Sequence, residues 1–182
     1  MVDVRGNVET RLAKLDREPA WSGILLAAAG LVRLGLERRI GERLAPELML
    51  PAPGQGALAV TARADDTGPV TAVRQAVHHR RTALTVAAER GFLRRLEGGC
   101  QVPLAAYAEV DEGGTASSIR LHGRVVSLRG EKAIEGKEAG VAADESAAAE
   151  LGARLADRLI AEGASEILFE ARSINAPAVT EP

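Results

Sequence analysis

Residues 96–103 read Leu96-Glu97-Gly98-Gly99-Cys100-Gln101-Val102-Pro103, and they separate a helical pattern from a strand-rich one. Gly98 and Gly99 reduce side-chain bulk and allow backbone angles that other residues resist, while Pro103 favours an extended exit. The stretch therefore predicts a tight loop that carries Cys100, the only cysteine in the chain. Two interpretations stay open on these residues alone: a small buried side chain at a turn, or a thiol to which a bulky group is attached.

The residues after this loop predict an α+β domain. Three antiparallel strands of a meander are expected at residues 104–110, 118–128 and 131–139. The incomplete alternation of the second strand suggests a bulge near Gly123. Asp144 and Glu145 then open a helix, and its apolar face suits one side of the sheet through Ala148, Leu151, Leu155 and Leu159. Residues 166–169 are predicted as a fourth edge strand or a docking segment.

The residues before the loop predict a different pattern. Strands are expected at residues 2–4, 21–29 and 57–63. The second of these is a continuous apolar run, and periodicity alone leaves a helix open for its second half. Helices are expected from Val8 to about residue 15, from 69 to 78 with Thr67 as N-cap, and from 82 to 96. Residues 30–35 are expected to lead into a further helix, basic and leucine-bearing, that ends near Leu44. Residues 1–50 therefore predict part of an open α/β sheet, followed by a proline-rich crossover.

The composition is that of a globular protein of 182 residues, with 46% hydrophobic and 26% charged residues. Aromatic residues make up 2%, too few for stacked nucleobases, and the net charge of -2 gives no general attraction to nucleic acid or acidic membranes. One cysteine cannot form an internal disulfide, and residues 1–6 lack the layout of a secretory signal. We therefore expect a cytoplasmic protein that binds neither nucleic acid nor membranes.

Several catalytic and metal motifs can be set aside. His78 and His79 are adjacent, His122 stands apart, and no metal-ligand spacing joins them to the cysteine, so no metal site is predicted. Gly54-Gln55-Gly56-Ala57-Leu58-Ala59 fits a loose dinucleotide pattern, but the required strand before it and helix after it are not predicted. The chain contains neither a P-loop nor a GxSxG motif.

Three arginines of the first section are candidate anion ligands: Arg5, Arg11 and Arg33. Ligands of open α/β sheets bind at the carboxyl ends of the strands, and arginine offers a fixed fork for carboxylates or phosphates. The other interpretation is that Arg11 and Arg33 only solvate helix faces. Arg5, at the predicted strand-to-helix turn itself, fits that interpretation least well.

Four segments together resemble one family, porphobilinogen deaminase, also called hydroxymethylbilane synthase. They cover nearly the whole chain in the family's order, and they are Arg5-Gly6-Asn7-Val8-x-Thr10-Arg11-Leu12-x-Lys14-Leu15-Asp16, Ala29-Gly30-Leu31-x-Arg33-Leu34-Gly35, Pro53-Gly54-Gln55-Gly56-Ala57, and Glu89-Arg90 with Leu96-Glu97-Gly98-Gly99-Cys100-Gln101-Val102-Pro103.

The resemblance implies an enzyme that condenses four porphobilinogen molecules into hydroxymethylbilane, for tetrapyrrole biosynthesis. It implies a dipyrromethane cofactor held by a thioether to Cys100 in a loop shaped by Gly98 and Gly99. Arg5, Arg11 and Arg33 would bind the carboxylates of cofactor, substrate and pyrrole-chain intermediates. The family form is expected to be a monomer.

The resemblance also implies a domain assignment. Residues 1–50 would be the latter half of a second, periplasmic-binding-protein-like α/β domain, residues 51–68 a crossover segment matching the return strand of the first domain, and residues 69–182 the cofactor-carrying α+β domain. The family's catalytic aspartate would belong to the first domain, and no aspartate of this chain matches it. We therefore expect the chain to be inactive alone; the alternative is a non-catalytic α+β binding or interaction remnant.

Overall fold

The structure is a computed structural model that describes residues 2–96, 103–113 and 116–175. The chain divides into two compact units, Met1–Ala45 and Pro46–Pro182. Each unit is described by itself below.

The smaller unit contains helices α1 (Val8–Arg17) and α2 (Ala28–Arg33) and a short 3-10 helix at Glu37–Arg39. The first of these helices was predicted and is confirmed. Leu12 of α1 and Leu31 of α2 are its buried apolar side chains. A Cβ added at Gly30 of α2 would lie 3.4 Å from Cγ2 of Val8, so the start of α1 and the middle of α2 lie side by side.

The strands predicted at residues 2–4 and 21–29 are wrong. No strand is present among residues 2–45; the first segment is irregular, and the second is irregular up to the start of α2. A strand is held by backbone hydrogen bonds to a neighbouring strand, so an apolar run without such a partner does not become one. The partial open α/β sheet expected for this section is therefore not confirmed.

The helix predicted to follow residues 30–35 and end near Leu44 is wrong, because residues 36–44 contain only the 3-10 helix at Glu37–Arg39. Helix α2 lies before them instead. Gly35 adopts a left-handed φ of 69° directly after α2, and its N–H donates to the Val32 carbonyl. The N–H of Leu36 donates to the Leu31 carbonyl at 2.8 Å, which completes a Schellman motif. This arrangement ends α2 at Arg33.

The larger unit begins with an irregular segment that leads into helix α3 (Thr67–Val77). The helix prediction is confirmed, but Asp66 rather than Thr67 occupies the N-cap position. The strand predicted at residues 57–63 is wrong, since this segment has no regular structure. Leu58, which the prediction placed in that strand, is 95% exposed.

Helix α4 (Arg80–Arg95) runs toward the cysteine loop, as predicted. After that loop the chain forms a three-stranded antiparallel sheet in the order β1-β2-β3, with bounds Leu104–Gly113, Ala116–Val126 and Ala133–Ala142. The predicted meander is thereby confirmed. The predicted bulge is wrong, because each residue of β2 faces one residue of β1 throughout, with Gly123 opposite Ala106.

Close packing of helices against the sheet explains why glycines interrupt the alternation of apolar and polar residues in the strands. A Cβ at Gly123 would lie 2.7 Å from a ring carbon of Phe92, which is itself fully buried on α4. On β3, a Cβ at Gly140 would lie 2.9 Å from Cδ1 of Leu151. The missing side chains therefore let the helices lie close to the sheet, and the strands continue through these positions without interruption.

Helix α5 (Glu145–Ala161) covers the same face of the sheet beside α4. Its predicted apolar face is confirmed, since all of its members are buried: Ala148, Leu151, Leu155 and Leu159. Asp144 is the N-cap, and its Oδ1 accepts the N–H of Ala147 at 2.9 Å. Full burial of one leucine side chain contributes about 2 kcal/mol to folding, so this face is a large part of the core.

Helices α4 and α5 approach so closely that their backbones touch at two glycines. A Cβ at Gly152 of α5 would lie 2.0 Å from the carbonyl oxygen of Ala88. A Cβ at Gly91 of α4 would lie 2.1 Å from the carbonyl oxygen of Ala149. Such distances exclude any side chain at either position without a shift of the backbone.

The final element among residues 116–175 is helix α6 (Ala164–Asn175), so the strand predicted at residues 166–169 is wrong. Its buried residues are spaced as on one helix face: Ala164, Ile167, Leu168 and Ala171. A four-residue window cannot reveal that period, whereas the full twelve residues do. Among the helices of the described residues, none is long and apolar enough to cross a membrane.

Candidate functional site

Arg5 and Arg11 lie at the turn that leads into α1. Oδ1 of Asn7, the N-cap residue, accepts the N–H of Thr10 at 2.8 Å, and Gly6 has a left-handed φ of 126°. Nε of Arg11 donates to the carbonyl oxygen of Gly6 at 2.7 Å. Arg11 therefore folds back along its own helix and fixes the turn that carries Arg5.

Lys14 is a third cation at this turn. Its Nζ donates to the carbonyl oxygen of Arg5 at 3.0 Å. Lys14 lies three residues after Arg11, so both side chains are on the same side of the helix. The turn is thus held by two cations, and both bind backbone carbonyls.

Arg33 is the last residue of α2 and is exposed. Within the described part of the chain, neither its guanidinium nor that of Arg5 forms a hydrogen bond or an ion pair. The packing of Gly30 beside Val8 brings the helix that carries Arg33 alongside the start of α1. Three cationic side chains predicted as ligands therefore belong to one small unit, and two of them have no partner in it.

The predicted thiol lies elsewhere in the chain. Cys100, Gly98 and Gly99 fall outside the described residues, which leave out residues 97–102. The positions on both sides of this gap are held firmly. Leu96 is 3% exposed within the core, and the carbonyl oxygen of Pro103 accepts the N–H of Val126 at 3.0 Å. The ends of the loop are therefore fixed to the helix and sheet core.

Arg172 on α6 adds a contact at the start of this loop that sequence reasoning missed. Its Nη2 donates to the carbonyl oxygen of Leu96 at 3.0 Å, just after the last residue of α4. Carbonyl groups at a helix C-terminus lack partners within the helix and carry partial negative charge, so a cation there is favourable. The 76 residues that separate the two partners in sequence left no local signal for this contact.

Glu89 appears in the sequence only as part of a segment that resembles the family, and its structural role was not predicted. It lies on α4 among apolar neighbours and is 6% exposed. Its Oε2 accepts the N–H of Gly54 at 2.7 Å, and its Oε1 accepts the N–H of Ala108 at 2.9 Å. Burial raises the pKa of the Glu89 carboxyl, and the two backbone hydrogen bonds oppose that rise. The sequence held one signal for this role: Glu89 directly follows the apolar residues Val86, Ala87 and Ala88.

Beside Glu89 lies an open cleft of about 340 Å³. One wall is the glycine-containing turn at residues 52–57, where Gly54 and Gly56 both have left-handed φ angles. No strand precedes this turn and no helix follows it directly in the described chain, so the context of a dinucleotide site is lacking here. The other walls come from α4 and β1, with the lining residues Arg81, Thr82, Thr85, Tyr107 and Glu109.

The outer face of the sheet carries paired charges. Nε of Arg124 and Oε2 of Glu135 lie 2.5 Å apart across β2 and β3, and Nε2 of His122 lies 3.5 Å from the same oxygen. The hydrogen bond from Arg124 lowers the pKa of the Glu135 carboxyl. Arg120 pairs similarly with Asp111 on β1. The charges balance across the strands, as expected of a face in contact with water.

Comparison with protein families connects these parts. Residues 1–70 match the family model described as "Porphobilinogen deaminase, dipyromethane cofactor binding domain". Residues 83–161 match the model described as "Porphobilinogen deaminase, C-terminal domain". The first match contains Arg5, Arg11 and Arg33, and the second runs from α4 through the cysteine loop and the sheet to the end of α5. The chain therefore belongs to the porphobilinogen deaminase family.

Proposed function

We propose that this chain is part of a hydroxymethylbilane synthase, the transferase that joins four porphobilinogen molecules head to tail. One ammonia leaves at each addition, and the product is the linear tetrapyrrole hydroxymethylbilane. The observation that carries the proposal is the pair of family matches, which follow one another along the chain over residues 1–70 and 83–161. The resemblance of the segments around Arg5, Arg33 and Cys100 supports the same assignment.

The donor groups of the smaller unit fit a dipyrromethane cofactor. The pyrrole rings of dipyrromethane carry carboxylates, and guanidinium groups bind carboxylates through paired charge-assisted hydrogen bonds. Arg5 and Arg33 are exposed and without partners among the described residues. Arg11 uses Nε for the Gly6 carbonyl, and no described contact uses its two terminal nitrogens. When bound, the dipyrromethane supplies the primer to which substrate units are added.

Cys100 has the role of a tether in this proposal. Its thiol would hold the cofactor through a thioether, and the glycines at 98 and 99 would leave space for a bulky group next to the sulfur. Support comes from the fixed ends of the loop, at Leu96 in the core and Pro103 beside β2. A tether on anchored ends limits where the attached pyrroles can reach, which is what a positioned primer requires.

The proposed domain assignment keeps residues 1–50 as part of the second family domain, 51–68 as a crossover and 69–182 as the cofactor-carrying domain. Arg5, Arg11 and Arg33 would orient the carboxylates of successive substrates, and proton transfer to the leaving amine would need a carboxylate that we do not identify in this chain. We therefore expect the 182 residues alone not to consume porphobilinogen. A cytoplasmic location and a monomeric full-length form belong to the same proposal.

A second candidate function is a non-catalytic binding or interaction module. One observation favours it: the sheet and its helices form a complete apolar core within Pro46–Pro182. Such a unit needs no cofactor to fold.

Intact-mass measurement of the purified chain separates the two candidates. A covalent adduct of two pyrrole units on Cys100 that is absent from Cys100→Ser supports the synthase. Arg63→Gln serves as the control, because Arg63 is exposed, has no assigned role in cofactor binding, and its replacement keeps the thiol. An unmodified thiol in the wild-type chain would leave both candidates open, and porphobilinogen consumption by the chain alone would contradict the expected inactivity.

A further inference from the structure

Strand β1 lies at one edge of the sheet, and its outward backbone groups need partners. Ala106 and Ala108, two residues apart, both direct their N–H groups to this edge. The N–H of Ala106 donates to the carbonyl oxygen of Pro51 at 3.1 Å, and the N–H of Ala108 donates to Oε1 of Glu89 at 2.9 Å. The segment that begins the larger unit and a helix side chain thus cover the edge in place of a fourth strand.

Glu89 also reaches the turn at residues 52–57. Its second carboxylate oxygen accepts the N–H of Gly54 at 2.7 Å, across 35 positions of sequence. The turn has two backbone hydrogen bonds of its own. The N–H of Gln55 donates to the Ala52 carbonyl, and the N–H of Ala57 donates to the Gly54 carbonyl. The Glu89 carboxylate therefore joins two chain segments that do not otherwise share a ladder of hydrogen bonds.

The structure assigns Glu89 the role of a positioning residue that holds the turn at 52–57 against the open edge of β1 and so forms one wall of the cleft. Gln55, Gly56 and Ala57 belong to this turn and line that cleft, next to the Gly54 N–H that Glu89 binds. The assignment concerns the larger unit by itself, so it stands or falls independently of the proposed synthase activity.

The surroundings of Glu89 determine how its charge responds to pH. The titratable groups that line the cleft with it are Arg81 on α4 and Tyr107 and Glu109 on β1, and the turn contributes none. Helix α5 meets α4 near this point through backbone and glycine, at Ala88 and Gly152. Burial is thus the main influence, and it raises the pKa of Glu89.

The direction of this pKa shift determines how the contribution of Glu89 to stability varies with pH. A carboxyl whose pKa is raised in the folded state binds its proton more tightly there than in the unfolded chain. Its contribution to stability is largest below the ordinary glutamate pKa and is lost as the pH rises through the raised value. Protonation converts one carboxylate oxygen into an O–H donor, so the titration of Glu89 alters its hydrogen bond to the Gly54 or the Ala108 N–H.

Hydrogen exchange of single amides tests the assignment in Glu89→Gln, with Glu109→Gln as the matched control. The amide of glutamine has one acceptor oxygen, so it can serve only one of the two N–H groups. We expect the amide of Gly54 or of Ala108 to exchange about tenfold faster, the effect of losing a hydrogen bond to a charged acceptor. Core amides of Leu121 and Val125 should keep their rates. Unchanged exchange at both sites, or an equal effect in Glu109→Gln, would overturn the assignment.

A pH titration of the wild-type chain gives a readout that does not depend on a variant. The amide proton shifts of Gly54 and Ala108 should follow the same midpoint as the Glu89 side-chain carboxyl carbon, above the ordinary glutamate value. A residue that only fills space would leave these two amides insensitive to that titration. Amide shifts that stay flat through the Glu89 midpoint would contradict the assignment.

Discussion

Single glycines determine how closely helices α4 and α5 can pack. The carbonyl oxygen of Ala88 would lie 2.0 Å from a Cβ at Gly152, and this oxygen belongs to a helix backbone that cannot rotate away as a side chain could. Ala149 stands in the same relation to Gly91. Because the clash involves backbone on both sides, a methyl group would force the helices apart rather than shift a rotamer.

We therefore expect Gly152→Ala to lower the free energy of unfolding by about 3 kcal/mol or more, at the upper end of overpacking effects. Urea unfolding followed by far-UV circular dichroism measures the change. Gly68→Ala, in helix α3, is the control. A Cβ added at Gly68 would lie 3.9 Å from the nearest heavy atom, Oδ1 of Asp66, and would therefore meet no clash. That variant should be neutral or more stable by up to about 1 kcal/mol. Equal losses in both variants would show that helix separation is not limiting.

Local motifs single out candidate side chains but not the groups that those side chains bind. Arg5, Arg11, Arg33 and Cys100 were singled out from local motifs. The roles of Glu89 and Arg172 could not be, because each binds a backbone group that is far away in sequence. A sequence shows which side chains are charged, whereas the carbonyl or N–H that each one meets depends on the fold.

At the scale of elements, the start of α5 shows how one side chain sets a boundary. Asp144 has extended backbone angles, and its carboxylate accepts the N–H of Ala147. The N-cap bond satisfies one of the donors left free in the first turn, and a negative charge there also favours the helix.

Replacement of Asp144 by alanine should therefore destabilise the larger unit by about 1 kcal/mol. Asp144→Asn keeps an acceptor oxygen at the same position and should lose much less. Chemical unfolding of the two variants beside the wild type makes the comparison. If asparagine lost as much as alanine, the charge rather than the hydrogen bond would be the stabilising feature.

Helices were predicted more reliably than strands, and the reason is physical. Helix hydrogen bonds are local, so the spacing of Leu151, Leu155 and Leu159 was enough to predict α5. A strand depends on a neighbour, and the apolar stretches at 21–29 and 57–63 have none in the described structure. The strands of the meander were predicted correctly because short turns supply each with its partner. Gly123 misled the prediction, because the cause of its small size lies on another element, at Phe92.

At the scale of the whole molecule, the two units differ in how much core they contain. Among the described residues of Met1–Ala45, the buried apolar side chains are Leu12 and Leu31. The larger unit contains an extended cluster that joins α4, α5, α6 and the sheet. Since stability grows with the apolar area removed from water, the smaller unit should open far more readily.

Hydrogen exchange by mass spectrometry should reveal this difference. We expect peptides of α1 to exchange at least about a hundredfold faster than peptides of α4 and β2, because few buried contacts oppose local opening. Peptides of α3, which has no buried residue, provide an internal reference for a weakly held helix. Protection of α1 equal to that of α4 would show that the smaller unit is held by more than its own core.

The bond from Arg172 to the carbonyl of Leu96 has a consequence for the order in which the protein is made. Ribosomes synthesise a chain from its N-terminus, so Leu96 emerges long before the helix that carries Arg172. The hydrogen bond to the Leu96 carbonyl, at the start of the cysteine loop, can therefore form only after α6 has been synthesised and folded. If attachment of a group to Cys100 requires this hydrogen bond, attachment would occur late in biogenesis, after synthesis of α6.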